Sequence, residues 1–147
     1  MTDEQAVRIA RDVLGWTKWD ELPIIARMAY LAILPRKPDP FRLARLRKSW
    51  WSVSNECAYI KLFFAFDWQP HKDVVQALLV RDEIVKRGWC FSVHIDPRDV
   101  SPQGKVVVAF YRPVPYTAFR ARATTDAKAI CLAADKWLGA QGLPDSG

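Results

Sequence analysis

The sequence predicts an α+β protein: an antiparallel sheet of three to four strands with helices on both faces, an α/β/α sandwich. Three observations carry this. Across 125–138, Ala127, Ile130, Cys131, Ala134, Trp137 and Leu138 recur at helical spacing, while Asp126, Lys128, Asp135 and Lys136 take the other side. Across 89–124, three runs read with the period of two that belongs to strands. Between His71 and Gly88 a further helical arc precedes them, so the second half reads helix, strand, strand, strand, helix. Short connections then make three consecutive antiparallel strands the economical arrangement.

Taken from the N-terminus, Thr2 with Gln5 has the spacing of a capping box, and Ala6, Val7, Ala10, Val13 and Leu14 make an amphipathic helix that Gly15 ends. Trp16 and Trp19 follow as anchors to a core. Leu22 to Leu34 is apolar nearly all round and predicts a helix that is buried, or that docks on a partner or another copy. Pro35, Pro38 and Pro40 then break regular structure, because proline offers no amide hydrogen and restricts the residue before it.

Residues 36–49 hold most of the charge: Arg36, Lys37, Arg42, Arg45, Arg47 and Lys48 against Asp39, a net of +5 out of +6 for the whole chain. Trp50 and Trp51 follow directly. Cations beside aromatic rings are what a polyanion with flat bases requires, and a solvated helix with Phe41, Leu43, Ala44 and Leu46 partly inward and both tryptophans in the core explains the same pattern. Cys57 to Phe66 predicts a strand that would extend the sheet to four.

In the second half, Val74, Val75, Ala77, Leu78, Leu79, Ile84 and Val85 form the apolar arc of a helix from about Lys72 to Arg87, and Arg81 and Asp82 interrupt it by reaching past the core to water, Arg81 laying its stem on apolar surface. Trp89 to Ile95, Val106 to Arg112 and Tyr116 to Thr124 are the three strands. In the last, Tyr116, Ala118, Arg120 and Arg122 share a face opposite Thr117, Phe119, Ala121 and Ala123, which places both arginines away from the covering helices. Thr124 or Thr125 caps the final helix and Gly139 is placed to end it. The organisation expected is one domain over residues 1–139, divided into an N-terminal helical portion at 1–51 and the sheet with its helices at 57–138, before a frayed tail at 140–147.

Composition narrows the function classes. At 147 residues and 50% hydrophobic the chain can bury a real core. A pI near 9.4 favours anionic partners. Three widely spaced cysteines, Cys57, Cys90 and Cys131, in apolar segments read as reduced thiols of a cytosolic protein. The stretch 22–34 is too short to span a bilayer and contains Arg27, so no membrane partner is expected. Cys90 and His94 lack the close paired ligands of a zinc site, and no metal or cofactor is expected. His71 and His94 are the only histidines, and neither sits in a nucleophile motif. The six glycines are scattered singly, which excludes a phosphate-binding loop, so the sequence reads as non-enzymatic.

The run Arg87-Gly88-Trp89, the segment from Thr124 to Ala134, and the stretch Ala10 to Thr17 ending Leu14-Gly15-Trp16-Thr17 together resemble the phage ABA-sandwich domain family. The resemblance covers the start and roughly the last half of the chain. It implies a small phage or prophage protein with a sheet between helical layers, and it supplies no catalytic residues. Residues 23–51 depart from the family's pattern, so nothing a relative does there carries over. The helix, three strands, helix order is also that of the double-stranded RNA-binding domain, but only Lys128 stands where that domain carries a lysine cluster.

These readings converge on an accessory protein in the host cytoplasm that holds an anionic small molecule or nucleotide. Arg42, Arg45, Lys48 and Trp51, with Arg120 and Arg122, are the candidate contacts, guanidinium groups pairing phosphate and a ring stacking a base. The alternatives are nucleic-acid binding through 36–51, and a protein-interaction or self-assembly role, as a homo-oligomer, through Leu22 to Leu34 and the tryptophans.

Overall fold

The final helix forms because the Thr125 hydroxyl accepts the Lys128 amide at 3.3 Å, satisfying one of its unpaired first-turn donors. It then runs from Asp126 to Ala140 and buries Ala127, Ala129, Ile130, Cys131, Ala133, Ala134, Trp137 and Leu138 along one broad face. A computed structural model of the chain describes residues 2–54, 61–65, 68–95, 97 and 102–141, with the backbone alone at 52–54 and 61–65. The expected tail lies outside the described residues from 142 onward.

In chain order the elements are α1 (Asp3–Arg8), β1 (Thr17–Lys18), α2 (Ile24–Ile33), α3 (Pro40–Arg47), β2 (Trp50–Ser54), β3 (Lys61–Ala65), α4 (Val74–Lys86), β4 (Cys90–Ile95), β5 (Val106–Pro113), β6 (Tyr116–Ala123) and α5 (Asp126–Ala140). The architecture is α+β, and the second half follows the order α4, β4, β5, β6, α5. Two compact units share the chain, one of residues 1–14 with 69–147, the other of residues 15–68.

In the larger unit, β4, β5 and β6 pair antiparallel in sequence order, with Phe91 opposite Phe110 opposite Phe119 and Ser92 opposite Ala109 opposite Arg120. Helix α5 packs on β5 and β6 and α4 packs beside it. Small side chains face the contact, since Ala121 and Ala123 of β6 are buried together with Ala127, Cys131 and Ala134 of α5. Beyond them the Trp89 ring meets Phe119 at 5.6 Å and Trp137 at 6.2 Å, with the Arg112 guanidinium 4.4 Å from the Trp89 centroid. The Arg81 guanidinium lies 5.5 Å from the Phe91 ring and pairs with Asp82.

Helix α1 opens with the expected capping box, Gln5 N donating to Thr2 Oγ1 at 3.3 Å and Thr2 N to Gln5 Oε1 at 2.8 Å. A π-helical turn at Ile9–Val13 continues it. That turn packs on α4 and α5, Gln5 Nε2 donates to Asp135 Oδ2 at 3.0 Å, and Arg8 forms an ion pair with Asp135. Within this unit the N-terminal helix therefore joins the helices already on the sheet instead of covering its second face.

The smaller unit revises the expected fourth strand. Lys61–Ala65 pairs antiparallel with Trp50–Ser54, which pairs with Thr17–Lys18, so this strand belongs to a separate sheet. Residues 57–60 and 66 of the expected strand, with Cys57, lie outside the described residues. The core here is Trp19, Leu22, Leu46 and Trp51, with Tyr30, Leu31 and Leu43 packed against it. Of the two outcomes expected for α2, burial or docking on a partner or another copy, burial is not found: Ala26 is its one buried residue. Further departures are small, as α5 passes through Gly139 and ends at Ala140, with Gln141 as its C-cap.

Two predictions follow from packing. Gly104 sits at φ +113°, and a Cβ there would fall inside contact distance of the Ala123 and Thr124 backbone, so Gly104→Ala should cost at least about 2 kcal/mol in chemical denaturation. Burial pushes the Cys131 thiol from 9.0 up to about 12. Its proton is held in the folded state where the unfolded chain has lost it, so the contribution to stability is full below about pH 9 and disappears as pH rises toward 12. Wild type should lose stability relative to Cys131→Ala over that window, and iodoacetamide near pH 8 should leave Cys131 unmodified until the protein unfolds.

Candidate ligand-binding face

Strand pairing decides which side chains share a surface, because residues directly opposite one another in an antiparallel sheet point the same way. Cys90, Tyr111 and Ala118 form one row of the reverse face, Ser92, Ala109 and Arg120 the next, and His94, Val107 and Arg122 the third. Tyr116 lies four residues before Arg120 and shares this face. Its hydroxyl accepts from Arg120 Nη2 at 2.8 Å, which holds guanidinium and ring together. Arg122 Nη1 donates to the Gly104 carbonyl at 3.3 Å.

The packed helices occupy the opposite face, and the polar residues here meet solvent. Ser92, His94 and Arg120 are exposed, Tyr116 is 64% exposed, and Tyr111 and Arg122 are half-buried. Two residues along a strand span about 7 Å, so the two guanidinium groups start from neighbouring positions on one flat surface. The register gives Arg120 and Arg122 the same side of β6, and Arg122 also lines a cleft of about 420 Å³ with Lys128, Asp135 and Lys136 of α5. Tyr111 escaped notice because the run from Val106 to Tyr111 is apolar throughout and shows no alternation by which to orient it.

The remaining candidates belong to the 15–68 unit. Arg42 and Arg45 project from α3, which Asp39 caps by accepting the Arg42 amide at 2.8 Å, and Lys48 follows its end; all three are exposed. Phe41, expected partly inward, is exposed. Of the two readings the sequence left open, Trp51 takes the buried one and drops out as a candidate contact. It is fully buried, with its ring 5.3 Å from Trp19 and 4.9 Å from Tyr30, and its Nε1 donates to Ser49 Oγ. Trp50 is buried as well, with Lys18 Nζ 4.4 Å from its ring. Neither indole has a face left for a base, so the tryptophans expected to stack in a 36–51 nucleic-acid site do not do so, and Phe41 is the exposed ring of that segment. The six candidates divide between the two units.

A cleft of about 990 Å³ opens at the start of α5, lined by Asp3, His71, Lys72, Thr125, Asp126 and Lys128 among others. His71 Nδ1 is buried without a partner. Burial, then the Lys72 ammonium, hold its pKa below the usual 6.5, so at neutral pH it brings no cation. Two carboxylates balance two ammonium groups here, which gives an anion less reason to settle than the sheet face does. Among the described residues no cluster of His, Cys, Asp or Glu could hold a metal ion, and no helix is long and apolar enough to cross a membrane.

If Trp51 is structural, Trp51→Ala should destabilise the protein by about 3 to 5 kcal/mol in denaturant titration, a cost of core truncation visible without any ligand. No family model, no curated protein and no solved structure matches the chain.

Proposed function

We propose that the protein is a non-enzymatic binding module that holds an anionic nucleotide-type ligand on the open face of the β4–β5–β6 sheet. The observation that supports this is the register, which aligns Arg120 and Arg122 with Tyr116 and Tyr111 on the side away from the helices. Guanidinium groups present paired donors that match phosphate oxygens, and a phenol ring offers a flat surface to a base. The Tyr116 to Arg120 hydrogen bond orders two long side chains beforehand, which lowers the entropy lost on binding. Ala109 and Ala118 between them keep the middle of the face low. In this reading Tyr116, and not Trp51, supplies the ring. The proposed setting, a phage or prophage accessory protein in host cytoplasm, rests on the family resemblance of residues 10–17, 87–89 and 124–134 alone.

Equilibrium binding to a panel of mono-, di- and cyclic nucleotides tests this. Arg120→Ala, Arg122→Ala and Tyr116→Ala should each weaken binding about tenfold or more, the scale of one charge-assisted or stacking contact. Unchanged affinity in both arginine variants, or no binding across the panel, would contradict the proposal.

A further inference from the structure

The 15–68 unit carries a surface that nucleotide binding does not use. Helix α2 turns Ala26, Tyr30 and Leu31 inward, while Ile24, Ile25, Met28, Ala29, Ala32 and Ile33 are all exposed, the four largest at 66, 74, 64 and 77%. An outward helix face is normally polar, and exposed apolar groups in a contiguous stripe mark a contact surface. Phe41, at the start of α3, is 78% exposed. Arg36, Lys37, Arg42, Arg45, Arg47 and Lys48 are all exposed too, and with Asp39 they give this segment its net +5.

We infer that this surface docks on an anionic phospholipid bilayer, with α2 lying in the plane of the interface and the basic side chains of 36–48 among the headgroups. Helix α2 has ten residues, about 15 Å, against roughly 30 Å of hydrocarbon. That length rules out crossing, the ground on which no membrane partner was expected, but lying in the interface needs no such span. Charge selects among occupants. A second copy would bring its own +5 against this one, and like charges across an interface oppose association. A polynucleotide would meet the cations and leave the apolar stripe in water. An acidic protein would meet both, yet protein interfaces normally carry about one hydrogen bond per 100–200 Å², and the stripe offers only alkyl and thioether groups. Acyl chains beneath a layer of phosphates satisfy both parts: the apolar side chains leave water, and each nearby cation gains attraction to anionic lipid.

Co-sedimentation of the full chain with phosphatidylcholine vesicles, with and without phosphatidylglycerol, tests this at about 0.1 M and about 0.5 M salt. The wild type should bind the anionic vesicles at low salt and largely release at high salt. Ile25→Ser with Met28→Ser, and separately Arg42→Glu with Arg47→Glu, should each weaken partitioning about tenfold or more. All four residues are exposed, so unchanged far-UV circular dichroism is expected and keeps the comparison one of folded proteins. No sedimentation with anionic vesicles at low salt, or undiminished sedimentation of the Ile25/Met28 variant, would overturn the inference. So would binding to DNA or polyglutamate but not to vesicles, or a wild-type dimer that the Ile25/Met28 variant abolishes.

Discussion

The burial of α5 against β5 and β6 is the contact on which the larger unit depends. Ala127, Cys131 and Ala134 on the helix and Ala121 and Ala123 on β6 are small and buried, which lets helix and sheet approach closely. Where the surfaces diverge, Trp137, Trp89 and Phe119 fill the space. The pleat does the rest. Once Phe119, Ala121 and Ala123 face the helix, Tyr116, Ala118, Arg120 and Arg122 must face away, because successive residues of a strand alternate sides. Placing a cationic face on the reverse of the sheet therefore needs no further interaction.

The smaller unit solves its core problem differently. It has short helices and two- and five-residue strands, and it concentrates buried area in a few large rings. Trp19, Tyr30 and Trp51 meet pairwise at centroid distances of 4.9 to 5.6 Å in tilted or edge-on geometry, the arrangement ring quadrupoles favour. Trp16 and Trp68 add an edge-on pair at 4.8 Å. With its tryptophans inside, this unit meets solvent through cations and through the bare side of α2.

Periodicity made the larger unit legible. Helix α5 and strand β6 repeat strongly enough to orient themselves, and Thr2, Gln5 and Thr125 cap as their spacing implies. In α4 the expected arc is found only in part: Val74, Val75 and Val85 are exposed, and Val80, outside that arc, is buried with Ala77 and Ile84. What eluded sequence reasoning was pairing between distant segments. Nothing local in Lys61–Ala65 distinguishes a partner in β2 from one in β4, and a continuous apolar run such as 22–34 has no weak side by which to decide which face is buried. Trp51 stayed open between two readings for a related reason. An aromatic residue beside a basic helix looks the same in sequence whether its ring stacks outward or fills a core, and here its parity on β2 turns it toward Trp19 and Tyr30.

Hydroxyl-radical footprinting of the native protein, read residue by residue by mass spectrometry, tests most directly that the helices shield one side of the sheet and leave the arginine-bearing side to solvent. Tyr116 should be oxidised early, while Trp137 and Phe110 stay protected until the protein is denatured. Oxidation of Trp137 at the rate of Tyr116, or protection of Tyr116 in the folded chain, would contradict the arrangement and remove the surface on which the proposed ligand would rest.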